Sequence, residues 1–180
     1  MGRLSETTTE STAYHEAVLE EGDKVPAELL RASFDAIYPE SDTPTPVTLA
    51  SLAPEGKTLV LFFYPKDSTP GCTREAQGFT ASKEAVEKAG GVLLGVSRDS
   101  PKSHCSFRDK YQLGIPLVSD PDRKLHQGFG AWGEKTMYGK KILGAIRSTF
   151  LVRDGKVVKA WSPVKVDGHV DAVIEALKGK

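Results

Sequence analysis

A chain of 180 residues with 24 basic and 24 acidic side chains, 39% hydrophobic residues and a pI near 6.9 has the size and balance of one ordinary globular domain, without the basic excess that nucleic acid requires. No apolar run approaches the roughly 20 residues of a spanning helix, and the opening MGRLSETTTESTAYHE lacks the basic and apolar regions of a secretory leader. The expectation is a cytoplasmic protein without membrane or nucleic-acid partners, and its two cysteines, Cys72 and Cys105, are too few for the disulfide scaffold of a small secreted fold.

Residues 1–22 are polar and Thr-rich and read as a tail, with STAYHEAVLEEG as a short helix, so the domain proper is expected over 23–180. ASFDAIY and TPVTLASL are β-prone runs separated by the loop-forming PESDTPTP, which predicts an N-terminal β-hairpin or edge strands. LVLFFY is a continuous apolar run of the kind buried on both faces, and a helix is expected from about Cys72 to Ala89. A second buried run, GVLLGVS, leads into a helix over SPKSHCSFRDKYQ, with Ser100 as cap and Pro101 at the first position. IPLVSD is a third strand, DRKLHQGFG a short helix, STFLVRDGKVVKAWS a hairpin turning at Asp154-Gly155, and HVDAVIEALK a closing amphipathic helix. This order predicts one α/β domain of thioredoxin-like fold: a central mixed, mostly parallel sheet flanked by helices.

Cys72 follows a Thr-Pro-Gly immediately after the LVLFFY strand. Cysteine attacks as the thiolate, and a free thiol with a pKa of about 8.5 is mostly protonated at neutral pH, so a reactive site must favour the anion. With Thr69 as N-cap, Pro70 takes the first helical position, Gly71 the second and Cys72 the third. The sulfur then lies in the first turn, where free N–H groups and the helix dipole favour negative charge and Gly71 allows close approach to the backbone. The loop leaves the C-terminal end of a buried strand, where open α/β sheets place their sites.

The neighbours narrow the chemistry. Cys72-Thr73-Arg74-Glu75 supplies no second thiol, which disfavours dithiol exchange through a Cys-x-x-Cys. A Cys-His hydrolase needs a base, and His15, His104, His126 and His169 are scattered, none near Cys72 in sequence; a long-range partner stays open. The same scatter shows none of the short spacings of a metal site.

The segment FFYPKDSTPGCTREAQGF resembles the active-site segment of peroxiredoxins, of the bacterioferritin comigratory or peroxiredoxin Q subfamily. The likeness continues through GVSRDSPKSH, PLVSDPDRKLHQGFGAWGEKTMYGKK and GAIRSTFLVRDGKV, from about Gly22 onward. The resemblance implies a thioredoxin-like thiol peroxidase that needs no metal or organic cofactor. It maps the peroxidatic cysteine onto Cys72, the hydroxyl contacting sulfur and peroxide onto Thr69, the residue shielding the pocket onto Pro65 and the arginine completing it onto Arg147. Attack of a thiolate on an O–O bond builds charge on the departing oxygen, which fixed donors such as Arg147 would steady. Each residue has a plainer account: Thr69 as a helix cap, Pro65 as a strand terminator, Arg147 as one solvated charge among many. Glu75 either orients Arg147 or complements the helix start, and is not counted among the site residues.

Many members of the subfamily carry a resolving cysteine five residues after the peroxidatic one; here that position is Gln77. Others place it in the helix after the next strand, where this chain has Cys105. The resemblance therefore implies a Cys72–Cys105 disulfide reduced by thioredoxin or a similar dithiol donor, in a monomer. A disulfide needs Cα atoms about 4.4–6.8 Å apart, so one or both helix starts would unwind. His104, expected to be exposed at its helix start, either helps ionise Cys105 or is inert. A one-cysteine peroxidase using an external thiol, a dithiol oxidoreductase and a non-catalytic holdase on the same fold remain as alternatives.

Overall fold

The computed structural model describes residues 18–179. The helix expected over residues 11–22 lies largely outside them; the described part, 18–22, contains no helix, and its Leu19 N–H donates to the Phe129 carbonyl at 3.0 Å.

Seven strands form the central sheet: β1 (Phe34–Ile37), β2 (Thr45–Val47), β3 (Thr58–Phe63), β4 (Gly91–Ser97), β5 (Leu117–Ser119), β8 (Ser148–Arg153) and β9 (Lys156–Trp161), in the order β2-β1-β5-β4-β3-β8-β9. A separate antiparallel hairpin joins β6 (Trp132–Met137) to β7 (Lys140–Ala145). The helices are α1 (Ala27–Arg31), α2 (Leu49–Leu52), α3 (Pro70–Ala81), α4 (Lys83–Lys88), α5 (Pro101–Tyr111), α6 (Lys124–Phe129) and α7 (His169–Lys178). None of them is long and apolar enough to cross a membrane.

The strand TLVLFF of β3 is buried along its whole length because it is central and covered on both faces. Its alternation divides the interior in two. Leu59, Leu61 and Phe63 point into one core with Leu29 of α1, Leu49 of α2 and Phe129 of α6. Val60, Phe62 and the following Tyr64 point into the other, with Cys72, Ala76 and Phe79 of α3, Phe107 of α5 and Val173 of α7. The cysteine singled out by the sequence is thus also a core residue of the helical layer.

The α/β thioredoxin-like expectation holds, with a different balance of pairings. Only β3–β4 and β4–β5 are parallel; β1–β2, β1–β5, β3–β8 and β8–β9 are antiparallel, so antiparallel pairing predominates. Two hairpins account for this: each is antiparallel within itself, and β1 joins β5 and β8 joins β3 in antiparallel sense as well. The run TPVTLASL also divides: it is a strand only to Val47, since Thr48 caps α2 by accepting from the Ser51 N–H at 3.1 Å while the Ser51 hydroxyl accepts from the Thr48 N–H. The long helix expected to Ala89 breaks at Ser82 into α3 and α4. Residues 132–145, for which no strands were expected, form the β6–β7 hairpin. Asp154 and Gly155, at φ of 51° and 77°, make the tight β8–β9 turn as expected.

Gly95 lies opposite Phe62, where an added Cβ would come within 2.9 Å of Phe62 Cζ and 3.0 Å of Leu117 Cδ2. Replacing it with alanine overpacks the layer beneath α3, and Gly95→Ala is expected to lose about 1–3 kcal/mol of stability, read as a lower urea midpoint at unchanged slope. An unaltered midpoint would show that Phe62 has room to move.

Candidate active site

The first turn of α3 is built by local sequence. Thr69 occupies the N-cap position at φ −83° and ψ 156°, Pro70 opens the helix, and the Thr73 N–H closes the first turn on the Thr69 carbonyl at 2.8 Å. Cys72 is the third helical residue and is buried. The Thr69 hydroxyl does not cap the helix; it donates to the Lys66 carbonyl at 2.9 Å. The first-turn N–H groups beside the sulfur are therefore left free of a side-chain cap, which suits an incoming oxygen.

Arg147 arrives by topology. Antiparallel pairing of β3 with β8 sets Ser148 opposite Phe63, which puts the preceding Arg147 beside the loop that leaves β3. Its backbone is fixed by the Val164 N–H donating to the Arg147 carbonyl at 2.8 Å. Its Nη1 lies 3.5 Å from Cys72 Sγ and donates to Glu75 Oε1 at 2.9 Å. Gly71 makes the approach possible, because a Cβ there would stand 3.1 Å from Arg147 Nη2.

Glu75 is fully buried, and its second oxygen, Oε2, has no hydrogen-bond partner among the described residues. Burial outweighs Arg147 and pushes its carboxyl up to about 7. The guanidinium behaves differently: burial opposes its charge, but Cys72 and Glu75 together more than offset that and hold it above its ordinary value. The partners differ because Glu75 meets Arg147 alone in a dry position, whereas Arg147 also meets the Cys72 sulfur and keeps some exposure. Lys135 of β6 is held below its ordinary value by burial and by Arg147, and donates to the Ala145 carbonyl at 2.7 Å. His169, facing Thr149 Oγ1 at 2.8 Å, is lowered to about 4 by burial and by Arg147, so it brings no charge at neutral pH.

Of the residues expected at the site, Cys72 and Arg147 are in contact, Thr69 stands at the helix entry, and Pro65 is half-buried just past β3. Cys105 is not brought to them. Both cysteines are free, and the half-buried Cys105 sulfur faces the Asp42 carbonyl at 3.7 Å. His104 corrects an expectation: it is fully buried, because it shares the inner face of α5 with Phe107 three residues on, while Cys105 turns outward. Its Nδ1 meets Asp67 Oδ2 at 2.8 Å and its Nε2 meets the Val118 carbonyl at 3.1 Å. Glu75, left out of the sequence-based site, and Lys135, inside the Trp-Gly-Glu-Lys motif, also converge on Arg147. For Glu75 the sequence offered orienting Arg147 as one of two roles; for Lys135 it offered none.

Comparison with known proteins now bears on this geometry. The profile of the AhpC/TSA family matches residues 22–160. The chain belongs to that family. Peroxiredoxin Bcp of Xanthomonas campestris pv. campestris is 52% identical over 152 residues, 84% of this chain and 93% of that protein. Peroxiredoxin Bcp of Bacillus subtilis is 43% identical over 125 residues, 69% of this chain and 80% of that one. A structure of Xanthomonas campestris peroxiredoxin Q superposes with a TM-score of 0.78 at 48% identity, covering 91% of this chain and 97% of that one. The chain is a peroxiredoxin of the Bcp, or peroxiredoxin Q, type, a thiol-dependent peroxidase acting on hydroperoxides with thiol reductants.

The raised Glu75 carboxyl links stability to pH. A carboxyl that holds its proton more tightly folded than unfolded contributes fully below its unfolded value of 4.5, and the contribution is lost as pH rises through about 7. Glu75→Gln removes this dependence, so the stability of the variant relative to wild type should improve steadily between about pH 5 and pH 8 in urea titrations. Parallel pH curves for the two proteins would contradict the burial argument.

Proposed function

We propose that Cys72 is the peroxidatic cysteine, with Thr69, Pro65 and Arg147 as its partners and Cys105 as the resolving thiol. The observation that carries this is the Arg147 Nη1 at 3.5 Å from a sulfur seated in the first turn of a helix. Positive charge and free N–H groups meet on one atom, the arrangement that steadies a thiolate and the charge leaving a broken O–O bond. The Cys72 thiolate attacks the terminal oxygen of a hydroperoxide; the S–O bond forms, the O–O bond breaks, and the departing oxygen leaves as alcohol or water after taking a proton. Cys72 is left as a sulfenic acid. Glu75 holds the guanidinium in place, Thr69 stands where it can orient the peroxide, and Pro65 screens the entry.

In the second step the Cys105 thiol displaces hydroxide from the sulfenic sulfur, so that an S–S bond forms and water leaves. A thioredoxin-like dithiol then reduces the disulfide by exchange. The substrates are hydrogen peroxide and organic hydroperoxides. A trapped intermediate/ligand complex structure of the Xanthomonas campestris bacterioferritin comigratory protein, bearing on alkyl peroxide reduction, supports the organic class, and its chain is 47% identical to this one. Residues 23–180 act as one cytoplasmic monomer without nucleic-acid or membrane partners. One observation favours a second reading, a one-cysteine peroxidase resolved by an external thiol: Cys105 faces Asp42 rather than Cys72.

Cys72→Ser is expected to consume no peroxide, while Arg147→Ala should lower kcat/KM for hydrogen peroxide about 10²–10³-fold, the usual effect of removing a donor aimed at developing charge. Intact-mass analysis after stoichiometric peroxide separates the two readings. A Cys72–Cys105 disulfide in wild type, replaced by a lasting sulfenic acid in Cys105→Ser, supports internal resolution; a lasting sulfenic acid in wild type supports the external thiol. Peroxide consumption by Cys72→Ser at the wild-type rate would overturn both.

A further inference from the structure

We propose that the buried Asp67–His104 pair, reinforced by Ser103, is a latch that makes the loop before Cys72 and the first turn of α5 open together. Asp67 lies in the loop between β3 and α3, with a side chain only 4% exposed, and apart from the Tyr64 hydroxyl every group that holds it comes from outside that loop. Its Oδ1 accepts from the Tyr64 hydroxyl at 2.7 Å. Its Oδ2 accepts from the Ser103 hydroxyl at 2.7 Å and meets His104 Nδ1 at 2.8 Å. Its own N–H donates to Asp99 Oδ2 at 2.8 Å, and Asp99 is in turn held by the Ser97 hydroxyl at 2.7 Å. Three of these anchors, Asp99, Ser103 and His104, belong to the segment that leads into and begins α5, the helix that bears Cys105. The next residue, Ser68, takes a left-handed φ of 66°, a conformation that a serine keeps only where its surroundings impose it.

The consequence is mechanical. Opening the first turn of α5 takes Ser103 and His104 away and leaves the Asp67 carboxylate buried with Tyr64 alone. Opening the Cys72 loop strands His104, fully buried, against the Val118 carbonyl with its other nitrogen unpaired. Either half-open state carries an unpartnered buried polar group, so the fully closed and fully open states are both favoured over it. Internal disulfide formation needs the Cys72 loop, the first turn of α5 or both to open, because the two sulfurs face different partners in the closed structure, and the latch makes the two openings one event. Latch strength therefore sets how fast a sulfenic acid at Cys72 is resolved, and how long it stays exposed to a second peroxide that would carry it to sulfinic acid. This last effect rests on Cys105 being the resolving thiol; the coupling of the two segments does not.

The test is hydrogen exchange of the reduced protein, segment by segment, followed by disulfide kinetics. His104→Phe keeps a planar aromatic ring, though a larger one, and removes both hydrogen bonds; Ser103→Ala, at a half-buried position, removes one and serves if the first variant folds poorly. Val157→Ala, in the opposite core, is the control for general destabilisation. Exchange of residues 66–74 and 100–106 should rise together, about tenfold in His104→Phe and about threefold in Ser103→Ala, while the control raises them no more than the rest of the domain. Formation of the Cys72–Cys105 disulfide should accelerate by the same factors, with less sulfinic acid at high peroxide. Loosening of 100–106 with wild-type protection of 66–74 overturns the latch. Joint loosening with an unchanged disulfide rate overturns its control of resolution. If wild type forms no disulfide, the exchange result still decides the coupling, and the loss falls on the assignment of Cys105 alone.

Discussion

The contact between Arg147 and the Cys72 sulfur is made by residues 75 positions apart, and the antiparallel seam between β3 and β8 is what brings them together. The register that sets Ser148 opposite Phe63 delivers a cation from one strand to the end of its neighbour, where the chain turns into α3. A one-residue slip would turn Arg147 to the other face of the sheet and leave the sulfur in an apolar cluster with no charge beside it. The seam is secured on the far side by β9 and by the Val164 N–H on the Arg147 carbonyl, so the position of the guanidinium is a property of the whole sheet edge. Glu75 completes the restraint. At 2.9 Å it is closer to Nη1 than the sulfur is at 3.5 Å, so the carboxylate anchors the cation and the sulfur receives its field.

Packing and reactivity are superimposed on the same helix. Cys72, Ala76 and Phe79 fall on one face of α3 at spacings of four and three, and that face lies on Val60 and Phe62 of β3. The sulfur is therefore dry, which strengthens every electrostatic contact it makes and screens it from bulk thiols and metals. The same burial works on the surrounding charges. It raises Glu75, lowers Lys135 and neutralises His169, so that Arg147 remains the dominant cation at the thiol. Freeing Cys72 to meet a partner sulfur must take a residue out of the core as well as a group out of the site, which ties the second half of the cycle to local stability.

What was legible in the sequence was local. LVLFFY as a buried strand, Thr69-Pro70 as a helix entry with Cys72 third, Ser100-Pro101 as a second entry and Asp154-Gly155 as a turn all depend on propensities within a few residues, and all hold. The departures arise where a competing local or nonlocal interaction decides. Thr48 and Ser51 close a reciprocal cap that ends the strand expected through TPVTLASL. The hairpin at Trp132–Met137 and Lys140–Ala145 carries lysines and glycines at strand positions and exposes Ile142 and Leu143, so it lacks the buried alternation by which strands are read. The parallel share of the sheet was overestimated because alternation of strands and helices does not say where a hairpin docks. His104 looked exposed at a helix start, yet Asp67, 37 positions away, draws it inside.

Cys105 is expected to meet Cys72 only after a helix start unwinds, and in the closed structure its sulfur faces a different partner. It sits on the outer side of α5 with Arg108 one turn on, and Arg108 donates to the Tyr38 carbonyl at 3.0 Å and the Ser41 carbonyl at 2.6 Å and pairs with Asp42. The loop between β1 and β2 is thereby clamped onto the face of the helix that carries the thiol, and its Asp42 carbonyl takes the sulfur. Two sets of polar contacts therefore hold the first half of α5 from opposite sides. Asp67 grips His104 on the inner face, and the β1–β2 loop engages Cys105 and Arg108 on the outer. Because β2 is the last strand of the sheet and pairs with β1 alone, the outer grip rests on the more weakly supported element, while the inner grip is buried. Loss of the outer contacts would free the Cys105 sulfur at the sheet edge, while the Asp67–His104 contact still holds the first turn of α5 from the inside.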